Sequence, residues 1–436
     1  MRIRSGVPRR EFIRTAAGAL AARPLITSQR TKSPNETVNL AMIGLGGRGQ
    51  GLLRQFASLS RCRVVALCDV DPERLSKAAA MLGQGSPKTF SDYRKVLDDN
   101  SIQAVCIATP DHWHVPIALA AILAGKHVYI EKPCSHNIRE TNLLVRCARE
   151  YKKCVQHGTQ RRSAAADMAG VQAIREGMIG DVYLAKAINH QVREKIGKAT
   201  EEAPPPGVDY DLWLGPAPKR PFTKNRWHYN WHWFWDYGGG DLVNDGIHQL
   251  DVALWGMNLD LQYPTAVIGS AAQLWYDDDH ETPDTQTVIY EYPGKQIIYE
   301  MRLWTPYKLE GHDNGTVFYG TKGRMEIGRA GSVVTIDDKT VVLKPEDYGV
   351  TGPNIYENFI EAAGNDDPSL LNSPIDKGAV STNITHLGNI SYRCGNIKLT
   401  YDPNTERITT AGDKQELANR LLGREYREGY ELVYKG

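Results

Sequence analysis

Residues 44–49 read Gly-Leu-Gly-Gly-Arg-Gly, directly after an apolar run, Val38 to Ile43, and directly before a helical period. This spacing suits a dinucleotide. Gly44 makes the tight turn, Gly46 lets the backbone approach a pyrophosphate, and Gly49 allows close helix packing. Gly47 and Arg48 complete the turn, and the pyrophosphate would rest on free N–H groups at the helix start. Asp69 lies twenty residues beyond Gly49, at the end of the next apolar run. A carboxylate there accepts the adenosine ribose hydroxyls and repels a 2′-phosphate, so NAD is expected rather than NADP. Arg48 and Arg74 are the cations that keep NADP open, and Asp71 reads as the N-cap of the helix that follows.

The elements that position these residues alternate in type. Apolar runs at VNLAMIGLG, RVVALCD, IQAVCIATP and HVYIEKP are separated by helical periods, which predicts βαβ units and a parallel sheet. After Arg161 the pattern changes to one more helix and then successive strands, from VYLAKAINHQV to SVVTID. Two later helices and a weakly patterned tail follow. The expected fold is therefore α/β followed by α+β. A Rossmann doubly wound parallel sheet occupies 37–160, and a domain with a large, mostly antiparallel open sheet occupies 161–436.

The stretch Thr109 to Pro133, TPDHWHVPIALAAILAGKHVYIEKP, resembles the Gfo/Idh/MocA oxidoreductases, the family of glucose–fructose oxidoreductase and inositol dehydrogenase. The resemblance runs by motif from Val38 to about Trp255. It implies that Lys132 of E-K-P reaches the reacting hydroxyl and the nicotinamide, and that Thr109, Pro110, His114 and Glu131 line the cofactor. The residue pattern agrees, because Lys132 follows a parallel strand at the sheet edge where such folds bind ligands. The family's D-x-G-x-H pattern corresponds to Asn244-Asp245-Gly246-Ile247-His248, followed by Asp251. Gly246 and His248 match, but Asn244 stands where the family has Asp, and an amide carries no proton at neutral pH. His248 becomes the expected acid/base beside Lys132, since an ordinary imidazole titrates in the useful range. The alternative for His248 is a core or capping role. Asn244 would orient the substrate. Asp245 lies one residue off the family register and would face elsewhere on a regular helix, yet it is placed among the substrate contacts.

Four tryptophans, two tyrosines and a phenylalanine fall between Arg226 and Tyr237. Aromatic faces suit the C–H faces of sugars, although an aromatic core or subunit contact explains such a run equally well. Trp235 is taken as the sugar contact. Gln160 and Arg161, at the domain junction, are expected near cofactor and substrate by the same resemblance. His228, His232 and Asp236 lack compact ligand spacing, so no metal is expected.

Lys and Arg number 52 against 51 Asp and Glu, which leaves no basic excess for nucleic acid. No apolar run approaches the length of a membrane span. Seven cysteines show no metal-like spacing and read as buried thiols. Arg9-Arg10-Glu11-Phe12-Ile13-Arg14, with the small-residue stretch to Ala22, resembles a twin-arginine export signal. Residues 1–36 are accordingly set apart as signal and linker, which predicts the export machinery as a partner and a periplasmic or otherwise exported protein. An exported enzyme has no cytoplasmic pool to recycle its nicotinamide. The sequence thus predicts tightly held NAD, with hydride moved to and from a carbon of a sugar, glycoside or cyclitol. A redox-neutral glycoside hydrolase is the alternative within enzymes, and a non-catalytic sugar-binding protein the alternative outside them. The resemblance also implies a homo-oligomer.

Overall fold

The computed structural model describes residues 37–83, 85–409 and 413–436; the stretch with the twin-arginine motif lies outside them. Six strands form the first sheet: β1 Val38–Ile43, β2 Cys62–Cys68, β3 Lys88–Phe90, β4 Ala104–Ile107, β5 His127–Ile130 and β6 Val155–His157. They are all parallel, in the order β3-β2-β1-β4-β5-β6. The order reverses between β1 and β4, and a doubly wound sheet opens a crevice at that reversal, beyond the strand C-termini. Gly44, Asp69, Thr109 and Lys132 all follow strands at this edge. β4 and β5 are buried throughout, which explains why they read as unbroken apolar runs rather than alternating ones.

The second sheet has nine strands: β7 Val182–Asn189, β8 Ala266–Ala272, β9 Thr285–Tyr292, β10 Lys295–Arg302, β11 Asn314–Gly320, β12 Arg324–Gly328, β13 Gly331–Ile336, β14 Lys339–Val342 and β15 Lys398–Leu399. Their order is β14-β13-β12-β11-β7-β10-β9-β8-β15, with β7 and β10 the parallel pair. β9 and β10 alternate strictly. Val288, Tyr290, Ile297 and Tyr299 point into a core completed by the helices Ala165–Arg175, Ile247–Gly256 and Ile375–Arg393. No helix among the described residues is long and apolar enough to cross a membrane. All seven cysteines are buried and free, as their apolar settings suggest.

The two halves are not closed units. The helix Ile355–Asn365 belongs to the second half by sequence, yet Phe359 and Ile360 pack with Phe56 and Tyr129 on the back of the Rossmann sheet. At the junction Arg162 is fully enclosed. Its guanidinium donates to both Asp251 oxygens at 2.8 and 2.9 Å and to Asp260 at 2.7 Å. Asp251, the carboxylate that follows His248 in the family pattern, is thereby a structural anchor for its helix. A buried pair of this kind adds little net stability, but breaking it strands a charge. Arg162→Met leaves Asp251 without its partner, and urea unfolding should show a loss of about 3–5 kcal/mol.

Candidate active site

β1 ends in Gly44, whose φ of +87° turns the chain sharply under the sheet edge. A Cβ on Gly44 would stand 2.6 Å from the Ala108 carbonyl carbon, and one on Gly49 would stand 2.1 Å from the Gly44 oxygen. Only glycine fits either place. Gly46 caps the helix Gly47–Ala57 without a side-chain hydrogen bond, so the first N–H groups remain free for an anion. Asp69 sits beyond β2 with one oxygen accepting from Leu45 N–H at 2.6 Å and the other from Asp71 N–H at 2.9 Å. Each oxygen keeps a lone pair for a ribose hydroxyl. Burial raises the Asp69 carboxyl, while the two N–H groups and Arg74 oppose it. The cradle and carboxylate therefore fit a dinucleotide.

The cleft that starts here has a volume of about 510 Å³, and both halves of the chain line it. Thr109, Pro110, His114, Glu131 and Lys132 form one wall, as expected. Arg48 crosses the helix start to Glu131 at 2.8 Å and fixes that carboxylate beside Lys132. His114 lies between the Thr109 carbonyl (2.9 Å) and the Pro133 carbonyl (2.6 Å), and its neutral ring donates its one N–H to one of them at a time. The opposite wall carries Trp213, His228, Tyr229, Trp231, His232 and Asn244. Lys132 Nζ donates to the Asn244 carbonyl at 2.6 Å and to Asn244 Oδ1 at 2.9 Å, so the two expected residues meet. Asn244 Nδ2 donates in turn to Asp241 at 2.9 Å and lies 3.4 Å from the Tyr229 hydroxyl. Asp241 is held by Arg193 at 3.0 Å and Asn189 at 3.0 Å. A carboxylate is thus present behind Asn244, three residues earlier in the chain. An Asp at 244 would face it at hydrogen-bond distance, whereas the amide donates to it.

Several expectations change. Residues Leu242–Gly246 form a π-helical turn, and Asp245 on it is not among the residues lining the cleft, so the expected substrate contact is absent. Asp245 lies outside the cleft wall, accepts from Asn314 at 3.0 Å and faces Arg193 at 3.7 Å. Burial and Asp241 push its carboxyl up to about 6. His248 does not keep an ordinary imidazole pKa. Burial, reinforced by Lys132, Arg161 and Arg48, drives it well below 6.5, so the ring is neutral and its buried Nδ1 has no partner. It suits accepting a hydrogen bond better than storing a proton. Arg161 is committed to Asp167 at 2.5 Å, and Gln160 keeps its Oε1 buried and unpaired at the junction. Trp235 is absent from the cleft. Its backbone N–H and Nε1 both donate to Glu281, and Arg393 covers its ring at 4.8 Å. The aromatic run divides: Trp227, Trp233, Phe234 and Tyr237 are buried core, while Tyr229 and Trp231 line the cleft. Sequence reasoning missed Asp241, Arg193 and Tyr229. It also missed Asp111, a buried carboxyl in the cleft wall that burial pushes far up despite Lys132. Only Asp241, three residues before Asn244, left a signal that spacing could have used.

Two family models match the chain. One describes an oxidoreductase family with an NAD-binding Rossmann fold and covers residues 38–159; the other describes the C-terminal alpha/beta domain of that family and covers 193–432. The chain belongs to the Gfo/Idh/MocA oxidoreductase family. Membership gives residues 38–159 an NAD-binding Rossmann fold, and the glycine cradle lies within that span. Relatives include proteins named glycosyl hydrolase family 109, from Stenotrophomonas maltophilia (32% identical over 42% of this chain and 43% of that one) and Saccharopolyspora erythraea (30% identical over 38% of each). The chain spans less than half the length of these curated relatives. The fold matches aldose-aldose oxidoreductase from Caulobacter crescentus, with a TM-score of 0.64 and 18% identity over 84% of this chain and all of that one. It also matches the WlbA dehydrogenase of Bordetella pertussis, solved with NADH and UDP-GlcNAcA, with a TM-score of 0.62 and 20% identity over 84% and 99%.

Three buried histidines around this Gfo/Idh/MocA cleft carry a pH consequence. Burial lowers His114 to about 4, and His112 and His157 to about 3, from an ordinary 6.5. Above pH 6.5 both folded and unfolded chains hold them neutral. Below it the unfolded chain takes up protons that the fold refuses, so stability falls as pH drops towards 4. The slope is about 1.4 kcal/mol per pH unit for each imidazole that stays neutral. Thermal unfolding between pH 7.5 and 4.5 should show a steep fall beginning near 6.5, and His157→Gln should flatten it.

Proposed function

We propose that the protein works on a sugar or glycoside with an NAD that stays bound, so that the reaction ends with no net change in cofactor redox state. The observation that carries this reading is the Lys132–Asn244 pair inside a cleft walled by both halves of the chain. When bound, NAD accepts a hydride from a substrate carbon and can give it back. The residues that hold it are the Gly44–Gly49 cradle, Asp69, Thr109, Pro110 and Glu131. Lys132 Nζ has a third donor beyond its two contacts with Asn244, and that donor suits the oxygen of the reacting hydroxyl. Asn244 fixes the direction of the ammonium, and Asp241 with Arg193 fixes the amide. His248, neutral and not among the residues lining the cleft, is given no substrate contact. Trp231, stacked on His232 by one face, and Tyr229 are the cleft aromatics that would meet a pyranose, while buried Trp213 excludes water.

Hydride return to the same molecule would permit cleavage of a glycosidic bond, and the relatives named glycosyl hydrolase family 109 favour this finer reading. Return to a second sugar is the other form; the aldose-aldose oxidoreductase shares the fold. The Arg9–Ala22 stretch supports export of the folded protein with its nucleotide inside.

Aryl glycosides, tested as a panel with the purified protein, should yield free sugar without net absorbance at 340 nm. In deuterated water the label should enter the carbon next to the oxidised one. NADH accumulating in step with product, with a need for added NAD, would sink the reading. Lys132→Ala should lower turnover by about 10²–10⁴-fold while the bound nucleotide content is unchanged.

A further inference from the structure

The segment 207–232 crosses from the C-terminal half over the dinucleotide cleft and meets the Rossmann half at its two ends. One end is packed shut. The Leu212 and Trp213 carbonyls accept from Trp113 Nε1 at 3.1 and 3.0 Å, and the Trp213 carbonyl also binds His112 Nε2 at 2.9 Å. Trp113 and Trp213 are only 6% and 5% exposed. The other end is different. His228 Nε2 lies 2.8 Å from Asp71 Oδ2 and 3.0 Å from Arg74 Nε, and these side chains remain 28%, 10% and 24% exposed. One ring nitrogen cannot donate to Asp71 and accept from Arg74 at the same moment, so the contact closes through one partner at a time. Burial beside Arg74 lowers His228 to about 4, so these are hydrogen bonds of a neutral ring rather than an ion pair.

The place of this contact matters. Asp71 and Arg74 adjoin Asp69, the ribose carboxylate, and Arg74 Nη1 would stand 2.5 Å from a Cβ on Gly46, across the phosphate cradle. The next residue of the strap, Tyr229, has φ +72° and ψ −49°, a γ-turn conformation that costs a bulky side chain energy. Its neighbours hold it there: His228 on one side, and on the other His232, whose Nδ1 is bonded to the Tyr229 carbonyl. Loss of the His228 contact frees the strained residue to move, whereas the Trp113–Trp213 end has buried packing to keep it in place.

We propose that His228 is a latch: by bonding Asp71 or Arg74 it shuts the adenosine end of the cleft with a strap from the C-terminal half and keeps the nucleotide from exchanging between turnovers. The proposal rests on the NAD site and deepens the bound-cofactor reading, but it does not depend on which sugar reacts. It assigns the C-terminal half a part in cofactor retention, with His228 as a positioning residue.

The test uses the full-length protein loaded with NADH, mixed rapidly with excess NAD while the fluorescence of bound NADH is followed. His228→Ala should release NADH about ten- to hundredfold faster than the wild type, the range for losing a hydrogen bond to a charged group. His228→Asn, which keeps a donor and an acceptor, should recover part of the slow release. Lys224→Ala, an exposed change on the same strap, should release at the wild-type rate, and the melting temperature of nucleotide-free His228→Ala should match that of nucleotide-free wild type. Release from His228→Ala within twofold of wild type would overturn the latch. So would equal acceleration by Lys224→Ala, or a melting temperature lowered enough to show general loosening. Wild-type protein that binds no NADH would overturn the nicotinamide site itself and the latch with it. Release from the wild type faster than turnover would overturn the latch together with the bound-cofactor reading, whereas slow wild-type release that His228→Ala accelerates would support the latch even if no sugar turned over, and only the sugar reading would then fail.

Discussion

The contact between Lys132 Nζ and Asn244 joins a strand-end lysine of one half to a π-helical turn of the other, and the cleft depends on it. Everything around it serves to hold these two groups at 2.6 and 2.9 Å. β5, buried throughout, brings Lys132 to the sheet edge. The π turn presents both the carbonyl and the side chain of Asn244 to one ammonium. Asp241 and Arg193, behind the amide, make its orientation unambiguous: the nitrogen donates to Asp241, so the oxygen must face Lys132. A buried polar chain of this length is favourable only when every member is satisfied, and this one is closed at both ends by charge. Its cost is rigidity, which suits a site that must hold a hydroxyl at one distance from a ring carbon.

The Rossmann half was legible because its constraints are local. A Cβ on Gly44 or Gly49 would collide with backbone, so the turn has to be written in glycine, and the fully buried strands have to be written as apolar runs. The E-K-P lysine was legible for a related reason, since parallel strands deliver their ends to one edge. The second half was legible as strands, through the alternation of β9 and β10, but its strand order was not. β7 lies between β10 and β11, so the pairing of elements far apart in sequence decides the sheet.

The site residues that were misplaced fail for physical reasons that differ from one to the next. Asp245, placed among the substrate contacts although one residue off the family register, turns away from the cleft to Asn314 and Arg193, as that offset on a helix implies. Trp235 has the right chemistry for a sugar, but Glu281 and Arg393 consume its polar and aromatic faces. Arg161 offers a free guanidinium in the sequence and finds Asp167 in the fold. His248 looked like an acid/base because imidazole is one in water. Nothing in a linear sequence shows that burial, with Lys132, Arg161 and Arg48 adding to it, would keep it neutral. Asn244 is the instructive case, because its departure from the family pattern looked like a loss of function. With Asp241 at 2.9 Å behind it, the amide is the group that satisfies both neighbours, and the carboxylate is displaced rather than missing.

Seen from the cofactor, the division into a nucleotide half and a substrate half is incomplete in both directions. The helix Ile355–Asn365 completes the core behind the Rossmann sheet, and the strap 207–232 covers the front of its cleft. A dinucleotide lying on the cradle would therefore be enclosed by residues that also border the Lys132–Asn244 pair, with Tyr229 reaching Asn244 one residue after His228 reaches Asp71. The two contacts come from adjacent residues, and the second of them, Tyr229, is the strained one. Retaining the cofactor and positioning the substrate thus draw on the same short piece of chain. On the proposed redox-neutral cycle, such a shared segment would tie retention of the nucleotide to the ordering of each substrate.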